Sequence, residues 1–93
     1  MVMYFFLGYQ GLEISFSEVL ERRGKKQLRI YATYTDPGNS GKAAELEMWL
    51  PDCEITLNKG FPPEKIADVK RYVKNGSDDL WDIAEHGDAD LYS

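Results

Sequence analysis

ELEMWLPDCEITLNKGFPPEKIADVKRYV, residues Glu45–Val73, changes its periodicity midway. Ala44, Leu46, Met48 and Leu50 alternate with Glu45, Glu47 and Trp49, the period of two expected of a strand with one buried face. Pro51-Asp52 breaks that ladder, because proline has no N–H to donate. Cys53, Ile55 and Leu57 then alternate with Glu54, Thr56 and Asn58, which predicts a further short strand, and Asn58-Lys59-Gly60 turns the chain. Pro62 and Pro63 mark a helix start, where a missing N–H costs nothing. Ile66, Val69 and Val73 follow at helical spacing, with Tyr72 widening the stripe.

Upstream, Leu28, Ile30, Ala32 and Tyr34 share one face of a strand over Gln27–Thr35, and Arg29, Tyr31 and Thr33 share the other. Asp36–Gly41 is turn chemistry, so this strand and Ala44–Leu50 are expected to pair as an antiparallel hairpin. In that hairpin Arg29 comes within reach of Glu45 or Glu47. Met1–Leu7 reads as a buried strand ended by Gly8 and Gly11, and Leu12, Ile14 and Phe16 alternate as another. Ser17–Gly24 carries two signals: a continuing strand, or a helical turn or two capped by Ser17 and stopped by Gly24. Downstream, Asn75-Gly76 stops the first helix. Ser77 is placed to cap a second over Asp78–His86, with Leu80, Trp81, Ile83 and Ala84 on its apolar side and Gly87 closing it. The last ~6 residues are expected to fray. The fold class is therefore α+β: one small domain over residues 1–93, with a curved, meander-like antiparallel sheet of four to five strands packed by two short C-terminal helices.

Composition narrows the function. Of the 93 residues, 43% are hydrophobic and 13% aromatic, enough for one modest core and too apolar for disorder. A net charge of −5 disfavours a nucleic-acid partner, since phosphate neutralisation needs clustered cations. One cysteine rules out an internal disulfide and fits a reducing cytoplasm. The apolar run Val2–Leu7 is too short for a membrane span.

The chemistry-bearing motifs are sparse. One His and one Cys give no metal-ligand spacing. Gly38–Lys42 only superficially resembles a phosphate loop, with Asp36 where the first Gly belongs and Ala43 where a magnesium-binding hydroxyl belongs. Cys53 in strand register reads as a small buried residue, and a Cys53–His86 dyad would need strand and helix ends to abut. No catalytic, cofactor or metal residue is assigned. Charge is uneven, however. Arg22, Arg23, Lys25, Lys26 and Arg29 form a basic block, whereas residues 75–93 hold six acids and no Lys or Arg. Arg29, Tyr31 and Trp49 are interface-type residues on one hairpin face, and Asp78, Asp79, Asp82 and Glu85 give the second helix an acidic side. These seven residues are the candidate interaction surface.

Gly41–Ala44 with Glu45, Trp49–Asp52, Glu54-Ile55, Asn58–Phe61, the Ile66/Val69/Val73 stripe and Leu80-Trp81 together resemble the bacterial domain-of-unknown-function 4160 family over Gly41–Gly87, about half the chain. The resemblance implies a curved antiparallel sheet with C-terminal helices and a mobile-element or toxin–antitoxin-like setting, with no established activity. That family has a Pro-Pro-His-Phe-His-like motif before the matched segment. Here Thr35–Ser40 stands in its place without a histidine, so no role of those histidines carries over. The expected function is a non-catalytic, cytoplasmic protein-interaction module with a protein partner or a second copy. The alternatives are an acidic decoy of a nucleic-acid-binding protein, or a small ligand-binding or hydrolytic protein with a sheet–helix cleft.

Overall fold

The longest strand, β4 (Lys25–Thr35), organises the sheet in the computed structural model, which describes residues 3–9, 11–35 and 43–86. β2 (Leu12–Ser17) and the short β3 (Leu20–Arg22) both pair with one edge of β4, and β5 (Ala43–Leu50) pairs with the other. β1 (Met3–Tyr9) and β6 (Glu54–Lys59) are the outer strands, giving an antiparallel order β1-β2-β4-β5-β6 with β3 extending the β2 position. The helices α1 (Pro63–Asn75) and α2 (Ser77–His86) follow. The expected α+β sheet with two C-terminal helices is the fold observed, open and curled.

Strand alternation explains why the helices lie where they do. Leu12, Ile14 and Phe16 of β2, Leu28, Ile30 and Ala32 of β4, and Leu46, Met48 and Leu50 of β5 all point to one face. Val69 and Val73 of α1 and Leu80 and Ala84 of α2 pack onto that face in one core cluster, joined by Phe61. Each of the larger of these side chains, the alanines aside, contributes roughly 1.5–3 kcal/mol when removed from water. Pro62 and Pro63 start α1 as the sequence predicts, with Pro62 at the N-cap position and no side-chain cap. Gly76 serves both helices: its N–H donates to the Tyr72 carbonyl, and its own carbonyl accepts from Leu80 at 2.9 Å. Ser77, expected as a cap, is instead the first residue of α2, because the Gly76 carbonyl already opens the helical ladder.

The segment Ser17–Gly24 forms no helix. Phe16 pairs with Ile30 and Leu20 with Gln27, so three residues oppose two, which is a β-bulge. Ser17 is fully buried there. Its hydroxyl accepts the Arg29 backbone N–H at 3.0 Å and donates to the Glu18 carbonyl at 2.8 Å, replacing a lost ladder bond. Arg23 (φ 55°) and Gly24 (φ 75°) then form a tight turn between the paired Arg22 and Lys25, the left-handed geometry that matches strand twist. Ser17→Ala is expected to lower stability by about 1–3 kcal/mol, since it strands a buried N–H. Urea denaturation measures this, and a change within ±0.5 kcal/mol would show that the hydroxyl bond is dispensable.

Two further expectations are corrected. The N-terminal strand is not buried: β1 pairs only with β2 among the described residues, and Phe5 is 69% exposed. Tyr4 and Phe6 turn inward against Phe16, Phe6 meeting it edge-on, and a bulge between Phe5 and Leu7 resets the phase so that Leu7 also packs on the core. Cys53 does not continue the β6 alternation. It lies half-buried in the Pro51–Cys53 turn at φ 57°, after a cis Leu50–Pro51 bond. A bulge opposite Glu47/Met48 then shifts the register, leaving Ile55 exposed at the sheet's edge. The expected Asp36–Gly41 turn and Gly87 stop lie outside the described residues.

Candidate interaction surface

The strand period that buries Leu28, Ile30 and Ala32 sends Arg29, Tyr31 and Thr33 to the opposite face, and β5 adds Glu45, Glu47 and Trp49. Arg29 lies opposite Trp49, Tyr31 opposite Glu47 and Thr33 opposite Glu45. The polar contacts run along the diagonals of this ladder, which long side chains can span. Arg29 Nε donates to Glu47 Oε2 at 2.6 Å, and Tyr31 Oη donates to Glu45 Oε1 at 2.6 Å.

The flanking strands complete the layer. On β6, the Thr56 hydroxyl donates to Glu47 Oε1 at 2.6 Å and accepts from Trp49 Nε1 at 3.0 Å. Lys59 Nζ reaches Glu45 at 3.9 Å. From β3, Arg22 lies 4.7 Å over the Trp49 ring and donates to Glu54 Oε2 at 3.0 Å, while Arg23 sits 3.5 Å from the same carboxylate. The Arg29 guanidinium lies 5.2 Å from the Tyr31 ring. Two cations thus rest on two aromatic rings, each held in place by a carboxylate. Individually such contacts are worth under about 1 kcal/mol. Jointly they fix rotamers, so the face presents a set shape.

Side-chain exposure is 23% for Arg29 and 21% for Glu47. That cover comes from neighbours on the same face. Both helices bury their apolar sides against the opposite one, and among the described residues no layer covers this face. The network also moves its protonation equilibria. The Thr56 hydroxyl, and then Arg29, hold the Glu47 carboxyl below the ordinary glutamate range. Arg22 does the same for Glu54. The Glu45 hydrogen bond, with burial, pushes the Tyr31 phenol above the ordinary tyrosine range.

The sign of each effect sets a pH dependence. Glu47, lowered in the folded state, contributes stability above the unfolded glutamate range and loses it as pH falls through its depressed folded value. Tyr31, raised, contributes below the unfolded tyrosine range and loses it as pH rises through its folded value. Glu47→Gln is therefore expected to lower the melting midpoint at neutral pH and to match the parent in acid. Both sites are solvated, so the neutral-pH difference is under about 1 kcal/mol. A gap that widens on acidification would contradict the assignment.

Asp78, Asp79, Asp82 and Glu85 lie exposed on α2, on the helical side, so the structure separates them from Arg29, Tyr31 and Trp49. His86 Nε2 is 3.7 Å from Asp82 Oδ1. Among the described residues, no three His, Cys, Asp or Glu side chains gather as metal ligands. Sequence reading missed Arg22 and Thr56. Arg22 becomes visible only once Leu20 and Arg22 are read with strand period, and Thr56 depends on a bulge that leaves no pattern. No described helix is long and apolar enough to cross a membrane. Comparison with known proteins finds no matching family model, curated protein or solved structure.

Proposed function

We propose that this chain is a non-catalytic protein-interaction module and that the open sheet face carrying Arg29, Tyr31 and Trp49 is its binding surface. The observation that carries the reading is the uncovered layer in which Arg22 stacks on Trp49 and Arg29 on Tyr31, each locked by a carboxylate. Arg, Tyr and Trp are the residue types that dominate binding energies at protein interfaces. Side chains already fixed lose little entropy on association, which favours affinity. Glu45, Glu47 and Glu54 neutralise the cations, so a protein surface suits this face better than a phosphate backbone does. The cytoplasmic setting, the family-type mobile-element context and self-association as one mode of partnering belong to the same proposal.

A cleft reading has less support. The space of about 460 Å³ beside Glu18, Val19, Lys26, Ala84 and Glu85 opens broadly to solvent and offers no nucleophile beside a base. Affinity capture tests the binding proposal. The parent chain, a Tyr31→Ala/Trp49→Ala variant and a Lys70→Ala control on α1 are compared, with light scattering on each. One captured protein, or a dimer, lost only in the double variant is the expected result. The same captured set with all three chains would refute it.

A further inference from the structure

A second surface lies where the edge strand β1 meets α2. Phe5, Phe6, Phe16, Leu80 and Ile83 line a groove of about 330 Å³, with Asp79 and Asp82 at its rim. Three features bear on what fits it. First, β1 pairs only with β2 among the described residues, so alternate backbone N–H and C=O groups point outward, ready to pair with an added strand. Second, Phe6 and Ile83, which line the groove, are only half-buried, whereas Phe5 shares the face of its partner Ser15 and of Tyr31. Third, residues 77–86 hold Asp78, Asp79, Asp82 and Glu85 and no Lys or Arg, and all four acids face solvent.

From this geometry we infer that the β1–α2 groove docks a short extended peptide, one large apolar side chain entering between Phe6 and Ile83 and flanking Lys or Arg residues meeting Asp79 and Asp82. The bulge between Phe5 and Leu7 limits straight pairing to a few residues, which is why the segment is short. A second copy fits less well. Antiparallel pairing of two β1 strands places both α2 helices on the same side of the joined sheet, with their acids near one another. The basic turn Arg22–Lys26 of another copy supplies cations but no large apolar side chain.

The test uses the whole chain and a short fluorescent peptide with a central leucine between alternating valines and lysines. Anisotropy is expected to show binding that weakens on adding salt, falls roughly tenfold in Asp79→Asn/Asp82→Asn, and falls at least as far in Ile83→Ala, a half-buried position on the groove wall. A glutamate-for-lysine peptide should not bind. Equal binding of both peptides, no binding by the lysine peptide, or affinity unchanged by Ile83→Ala would each overturn the proposal. Loss with Tyr31→Ala but not with Ile83→Ala would place the peptide on the open sheet face and overturn it too. So would a dimer that Ile83→Ala dissociates, which would make the groove a contact between copies.

Discussion

Phe16→Ala is expected to destabilise the chain by about 3–5 kcal/mol, the range for deleting a buried aromatic ring. Phe16 is 1% exposed and lies where three elements join. It pairs with Tyr4 of β1 on one side and Ile30 of β4 on the other. Its ring lies 5.4 Å from Tyr4 and 6.3 Å from Phe6, and it shares the groove lining with Leu80 of α2. Removing it empties a space that strand backbones cannot close. Domains of this size are stable by about 5–15 kcal/mol in total, so much of the margin disappears. The melting midpoint should fall by roughly 15 °C or more. Urea denaturation and thermal melts measure this, and a loss under about 1 kcal/mol would mean that β1 and α2 are not held through this ring.

Gly11→Ala carries the second large effect, for a backbone reason. Gly11 has φ +86°, and a Cβ there would lie 2.4 Å from the Thr35 carbonyl oxygen. The same two residues are tied by the Thr35 N–H donating to the Gly11 carbonyl at 3.0 Å, so neither backbone can retreat without losing a bond. The left-handed conformation alone costs an L-residue about 1–2 kcal/mol. The clash raises the expected total to about 2–4 kcal/mol. Gly24 provides the comparison. Its φ is +75°, yet a Cβ there meets nothing within 4 Å. Gly24→Ala should therefore show the conformational cost without the clash. Equal losses at the two glycines would indicate that the β1–β2 turn does not press against the end of β4.

Much of the fold is legible in the sequence wherever one periodicity runs uninterrupted. β4 and β5 alternate cleanly, so their buried and open faces, the reach of Arg29 to Glu45 or Glu47 and the identity of Tyr31 and Trp49 as face residues follow from counting by two, and the observed register selects Glu47. α1 is equally plain, because Pro62, Pro63 and the Val69/Val73 spacing all agree. Legibility stops at the bulges. At Ser17–Val19, one extra residue shifts the strand phase, and the short apolar Val19-Leu20 pair then mimics a helical turn. At Thr56, the same device moves a polar side chain onto the open face and leaves Ile55 exposed at the sheet's edge. β1 misled for another reason. Apolar composition states that a side chain can be buried, whereas its place at the sheet's edge decides whether it is.

Site-specific photo-crosslinking in cells tests the central claim, that the open face binds a protein, most directly. A photoreactive residue replaces Thr33, which lies on the open face outside the hydrogen-bonded network, or Lys74, exposed near the end of α1. A discrete adduct from position 33, absent from position 74 and lost when Tyr31→Ala/Trp49→Ala is added, is the predicted result. No adduct at position 33, or the same adducts from both positions, would contradict it.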